Sequence, residues 1–383
     1  MFKRVLFTFV LLFLSIGIWA QEDRPAEQPW LVNQPWWFTL EIGKLHFSNG
    51  SYGDALMAFE DARRSRYSHF SRMEDELIIF LSIPEVRRLG DSLDFIEWYV
   101  SEQNETRISN ILLEIYHYFP KTGLGSSVSN ALDALDTLKT YPEAEFWLGE
   151  CFRVEGELNL ALRQYERALS GRELFLTPDF DLEISYRLFD LHNLRGDYNE
   201  MERRGREILD GNDSTGSPRD FLWSQNLMRA AMIRMLETGG IDRFLMFYRH
   251  DNIPTERAHR ELGFYLYTRG RYITALDNLM FAFLIQNTII INEILRRDFD
   301  YVYTDLGDLM TMIGTRRDLL SFMEEIEYFK TIYYFASTLH ANGKTIPAQE
   351  LWDFLATSLI AGEWGERARR SGTPFVESVV VLP

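Results

Sequence analysis

LGECFRVEGELNLALRQYERA, residues 148–168, decides the fold. Counted from Gly149, the residues Phe152, Gly156, Ala161, Tyr165 and Ala168 stand at +3, +7, +12, +16 and +19. Gly43, His46, Gly50, Ala55, Phe59 and Ala62 repeat those offsets, and so do Gly263, Leu266, Gly270, Ala275, Leu279 and Ala282. The pattern describes two helices. A small residue beside a large one on the first lets a neighbour approach closely. The glycine at +7 closes that helix in the left-handed conformation its C-terminus favours. The alanine at +12 is expected where the second helix crosses the first, and the residues at +16 and +19 continue an inward stripe at helical spacing. Each pair leaves an apolar flank that only another pair can cover, so the units are expected to stack.

Weaker copies share the offsets: Phe189, His192, Gly196, Met201 and Ile208; Gly307, Met310, Gly314, Leu319, Met323 and Ile326; Ala336, Leu339, Gly343, Ala348, Trp352 and Leu355. A faint one surrounds Ile233, Leu236, Gly240 and Leu245. The chain thus resembles the tetratricopeptide repeat family, whose Leu-Gly, Tyr, Gly, Ala, Phe, Ala pattern these residues reproduce. The resemblance implies an all-α, right-handed α-solenoid of stacked antiparallel helix pairs. The gap from Gly50 to Gly156 is 106 residues. It reads as about three repeat periods, filled by helices near 73–81, 92–100, 108–119 and 128–141, which brings the expected total to about nine pairs.

Residues 1–20 read as a signal peptide: Lys3 and Arg4, an uncharged run from Val5 to Trp19, then Ala20 before Gln21. That run is short for a membrane span, and no later segment is expected to form a stable one. Cleavage after Ala20 or retention as an anchor both fit. Residues 21–36 form a Trp/Pro-rich lead whose tryptophans are expected to pack on the first pair. Two repeat-bearing halves follow, 37–209 and 218–361, separated by the turn-rich loop 210–217. Residues 362–383 read as a tail, either disordered or able to add a strand to a partner. The mature protein is expected outside the cytoplasm, in the periplasm if the source has two membranes.

Cys151 is the only cysteine, which excludes an intramolecular disulfide and cysteine-rich metal sites. The formal charge is −17, from 40 basic and 57 acidic residues, and it is spread rather than blocked. Such a surface repels phosphate, so nucleic acid and general adhesion to anionic lipid are not expected.

Four stretches imitate chemistry. Gly90-Asp91-Ser92-Leu93 resembles the nucleophile block of the Gly-Asp-Ser-Leu esterases. The stretch before it is not strand-like, however, and no histidine has Asp three residues before it. The expected role is a helix cap. Glu114/His117 and Glu256/His259 have the Glu-x-x-His spacing of carboxylate-bridged metal bundles, which need two further carboxylates. Gly123-Leu124-Gly125-Ser126-Ser127 lacks the lysine of a phosphate loop and reads as a turn with a serine cap. No catalytic residue, metal or cofactor is expected.

In the resembled family the first helices of successive pairs line a groove that receives a peptide or helix. The matching positions are Trp37, Lys44 and Phe47; Phe146, Glu150 and Arg153; Tyr186, Asp190 and Asn193; Arg257, Arg260, Phe264 and Tyr267; and Lys330, Tyr333 and His340. The carboxylate clamp of one family variant is not carried over, because Leu40 and Lys44 occupy its positions. The function these readings imply is a non-catalytic scaffold binding protein partners in an envelope machine, of the outer-membrane assembly, secretion or flagellar collar type. The alternative is a periplasmic accessory that presents a small hydrophobic ligand or lipid to a transporter. Neither the oligomeric state nor the partner's identity is legible.

Overall fold

A computed structural model describes residues 34–175, 177, 179–211 and 218–371. The signal peptide, most of the lead and residues 372–383 of the tail therefore lie outside the described residues. Among the described residues every regular element is a helix, apart from one isolated backbone bridge, Ser92 to Ser127. The chain divides into two compact units at Ile184/Ser185. This lies upstream of the 210–217 loop, of which 212–217 are not described. The first unit holds α1 (Trp36–Ser48), α2 (Tyr52–Leu81), the short α3 (Pro84–Arg87), α4 (Leu93–Glu102), α5 (Thr106–Tyr118), the short α6 (Lys121–Leu124), α7 (Val128–Leu138), α8 (Pro142–Val154) and α9 (Leu158–Ser170). The division falls inside α10 (Phe180–Leu194). The second unit continues with α11 (Tyr198–Gly211), α12 (Pro218–Phe247, broken at Gly240), α13 (Glu256–Thr268), α14 (Tyr272–Arg297), α15 (Leu306–Gly314), α16 (Arg317–Glu325), α17 (Tyr328–Ala341), α18 (Thr345–Thr357) and α19 (Gly362–Ser371). Part of the expected tail is thus helical: α19 packs on α18.

The repeat offsets have a direct physical cause. A Cβ built on Gly43 would lie 2.4 Å from the Phe59 ring, one on Gly149 2.7 Å from the Tyr165 ring, and one on Gly263 2.6 Å from Leu279. In all three full copies the zero position receives the +16 side chain, so the paired helices cross there at near-backbone contact. The residues at +12, +16 and +19 are buried in the three full copies and in the three weaker ones; in the faint copy only Leu245, at +12, is buried. Five of the pairs also turn in the same way. The N–H of the residue after the turn glycine donates to the carbonyl at +3 in Ser51→His46, Glu157→Phe152, Asp197→His192, Arg271→Leu266 and Lys344→Leu339, at 2.8–2.9 Å. That bond requires a left-handed residue between, and Gly156 supplies it at φ 81°. Gly314 departs from the expectation. It ends α15 without a positive φ, and the next helix begins at Arg317 after a tighter connection.

The 106-residue gap differs from the sequence reading. Met73–Leu81 is no separate helix but the end of the 30-residue α2. The first half of α2 packs directly on α8, joining Leu40, Ala55, Phe59, Ala62, Ala144 and Leu148 in one core. The pair α1/α2 therefore meets α8/α9 without intervening pairs. Residues 82–138 form an excursion with its own core, including Leu93, Ile96, Ile111, Ile115 and Leu135, against the second half of α2. Amphipathic helices look alike in sequence whether they stack in line or to one side. The second unit uses the same device: the long α14 packs directly on α17, and α15 and α16 are the excursion. By length and apolarity α14 is one helix that could cross a membrane, but most of it is buried in the unit's core.

Two of the chemical imitations are halves of one clasp. Leu93 N–H donates to Ser126 O at 2.6 Å, and Val128 N–H donates to Asp91 O at 3.3 Å. The Asp91 carboxylate accepts from Ser127 Oγ at 2.7 Å and from Ser129 N–H at 3.2 Å, which caps α7 rather than the helix that follows it in sequence. Ser92 stands at the N-cap of α4 without a side-chain cap bond. Asp91→Ala should lower stability by about 0.5–2 kcal/mol and Ser92→Ala by much less. Equal thermal shifts for the two would contradict this geometry.

Candidate partner-binding cleft

In the second unit, α13, α17 and α19 bring five aromatic rings together. Phe264 and Tyr267 on α13 meet Tyr334 at 5.1 and 5.2 Å between centroids. Tyr333 and Tyr334 meet Trp364 on α19 at 5.5 and 6.0 Å. Two cations cover rings at the edges: Lys330 Nζ lies 4.4 Å from the centroid of Phe264, and the Arg367 guanidinium 4.5 Å from that of Trp364. The spacings are helical, since Lys330/Tyr334 and Trp364/Arg367 sit at i,i+4 and i,i+3. Each cation is also near a carboxylate, Glu327 to Lys330 at 2.8 Å and Glu363 to Arg367 at 3.6 Å. Beside them an open cleft of about 690 Å³ runs between the end of α16, the first turns of α17 and the start of α19. Such a surface can stack a flat or apolar side chain while a cation at its rim meets a carboxylate.

Other residues expected in the groove lie elsewhere. Arg260 is buried, with its guanidinium held by Glu256, Glu261 and Glu327. Glu256 is buried too and accepts from Gln286 Nε2 at 2.7 Å; burial raises its carboxyl above the usual carboxylate range. Gln286 further donates to Ile326 O at 2.9 Å. This network ties α13, α14 and the start of α17 from inside, so Arg260 is corrected from a groove residue to an interior one. Phe264 is likewise buried beneath the cleft rather than free in it. Arg257 pairs with Asp190 and lies 5.1 Å from the Tyr186 ring, while Tyr186 itself is buried and donates to Pro254 O. Asn193 and His340 are exposed, His340 beside the Trp352 ring.

In the first unit Phe146 and Glu150 are buried, a second correction. Phe146 packs on Trp147, Tyr165 and Phe180, and Glu150 accepts from the Tyr165 hydroxyl and bidentately from Arg153. Phe47 packs on Tyr52 and Trp147, Lys44 pairs with Glu41, and Trp37 is exposed. The first unit therefore gathers no common groove from these positions. Trp36, the last residue of the expected lead, is the first residue of α1; it lies edge-on to Tyr141 at 5.0 Å and under the Arg66 guanidinium. Sequence reading missed Trp364 and Arg367, whose i,i+3 pairing was the available signal.

The Glu-x-x-His pairs point apart. Glu114 meets His69 at 2.9 Å, while Glu256 faces Arg260 and His259 faces Asn278 at 3.1 Å. Among the described residues no cluster of three metal-ligating side chains occurs. Burial pushes the His259 imidazole down to about 4. The folded state therefore takes up that proton at lower pH than the unfolded chain. Its stabilising share is complete above about pH 6.5 and drains away as pH falls towards 4, by about 2–3 kcal/mol. Glu143, Glu145 and Glu256, raised by burial, act in the opposite direction in any variant. His259→Gln should therefore show a shallower loss between pH 7 and pH 4.5 in urea unfolding, and parallel curves would contradict the assignment.

No protein-family model matches the chain. An uncharacterized protein of Treponema pallidum (strain Nichols) is 26% identical over 334 residues, covering 87% of this chain and 88% of that protein. Among solved structures, the crystal structure of BtubC (BKLC) from P. vanneervenii covers 84% of this chain and 98% of its own, at 13% identity and a TM-score of 0.29.

Proposed function

We propose that this chain is an exported, non-catalytic scaffold of the tetratricopeptide type. Its helix pairs wind as a right-handed solenoid and hold protein partners in an envelope machine. The observation that supports this most is the cleft on α17 and α19. Open, aromatic and edged by two ring-stacked cations, it has the composition in which binding energy concentrates at protein interfaces. One of its walls, α17, is the first helix of a repeat pair, the kind of helix on which the resembled family receives its ligands. The preferred ligand is a segment carrying an aromatic or large apolar side chain next to a carboxylate.

A photo-crosslinking amino acid placed at Tyr333, followed by mass spectrometry in the native envelope, tests this. The same partner should be captured reproducibly and lost with Trp364→Ala and Arg367→Glu. Capture that survives both changes, or labelling of Ser92 by a serine-directed fluorophosphonate, would refute the reading.

A further inference from the structure

The excursion of the first unit carries a surface that the repeat does not need. In α4, Leu93, Ile96 and Val100 face the core, while Phe95 and Trp98 point outward, 57% and 58% exposed. They sit at i and i+3 on one helical face, with Asp94 and Glu102 exposed beside them. A soluble helix has no packing reason to hold two large aromatics in water on the same face. Alongside, an open groove of about 400 Å³ between α4 and α5 is lined by Val100, Leu112 and Leu113, with Glu97 and Glu105 at its edge. Leu113 is itself 62% exposed. From residue 91 to residue 121, six carboxylates (Asp91, Asp94, Glu97, Glu102, Glu105, Glu114) stand against two cations, Arg107 and Lys121. Lys121 bridges Asp94 and Glu97, and Arg107 turns away to Glu76, so the hairpin remains net negative.

We propose that the outer face of α4 and its groove are a second docking site, whose occupant is a basic amphipathic helix of a partner protein. Charge complementarity selects that occupant. Apolar residues at helical spacing would cover Phe95, Trp98 and Leu113, while lysines or arginines on the flanks would meet Asp94, Glu102 and Glu105. Anionic surfaces are disfavoured here for the same reason. Insertions within repeat arrays commonly carry binding surfaces, and this excursion is one. The inference is independent of the α17/α19 cleft.

The full mature chain is titrated with a fluorescent 14-residue leucine–lysine peptide whose leucines repeat at helical spacing. A matching peptide with glutamate replacing lysine serves as control. Anisotropy should report micromolar binding of the lysine peptide alone, weakened at least 10-fold in Phe95→Ala/Trp98→Ala. Asp94→Asn/Glu102→Gln should weaken binding several-fold and flatten its salt dependence. Unchanged melting curves confirm that the exposed substitutions leave the fold intact. Equal binding by the aromatic double variant would mean adsorption to net charge and would overturn the proposal. So would absence of binding, equal binding of the glutamate peptide, or self-association of the wild type that Trp98→Ala abolishes, which would make this face a contact between copies.

Discussion

Arg260→Ala should cost about 3–5 kcal/mol, because it leaves Glu256 buried without its cation. Glu256 faces Arg260 and Gln286 inside the second unit, where it is 7% exposed. The loss should shrink on acidification. Burial already raises the Glu256 carboxyl, and removing the guanidinium raises it further, so the variant escapes much of the penalty by taking a proton. Arg260→Met combined with Glu256→Gln should recover much of the stability, since the pair would be replaced by uncharged side chains of similar size. Urea unfolding at pH 7 and pH 5 checks both statements. A loss under 1 kcal/mol at pH 7 would show that solvent reaches Glu256.

Phe59→Ala should cost about 3–5 kcal/mol in the first unit, the range for emptying a fully buried aromatic site. The partner position gives the sharper test. Gly43→Ala places a Cβ into the ring that now touches the glycine, costing about 1–3 kcal/mol by overpacking and offset by about 1 kcal/mol of improved helix propensity. In Gly43→Ala/Phe59→Leu the smaller side chain makes room, so the two effects should fall short of their sum. Additive losses in thermal and urea unfolding would mean that these positions do not touch.

The recurrence of a small residue at the zero position and a large one at +16 was legible in the sequence because three copies display it. Their contact was not, since the crossing was expected at the +12 alanine. The inward stripe was legible too, since a buried position accepts few residue types and repeats them. The direction in which the excursions leave was not legible. Ile96 and Ile115 have the same spacing whether their helices extend the row of pairs or branch from it; only the continuation of α2 past Leu77 decides that. The candidate site was half readable. Tyr333 and Lys330 fell where the repeat places groove residues, but Trp364 lies beyond the last glycine–alanine signature. Arg260 was misread for a physical reason: charged residues three and four apart on a helix normally face water, and nothing in the pattern marks this set as enclosed.

The direct contact of α2 with α8 across the excursion also bears on the order in which the chain acquires structure. When Leu81 has formed, the flank of the first pair has no partner in the adjoining sequence, and Ala144 and Leu148 must arrive from about 60 residues further on. Closing a loop of that length rather than one of ten residues costs only about 1.5 kcal/mol of chain entropy, a tolerable equilibrium penalty. Kinetically the delay matters more: the excursion, whose contacts are mostly local, can condense first and hold the second half of α2 while the first half waits. Hydrogen exchange during refolding should then protect α4, α5 and α7 before α1 and α8, and slow protection of α1 would mark the interval in which its apolar flank is open to misassociation.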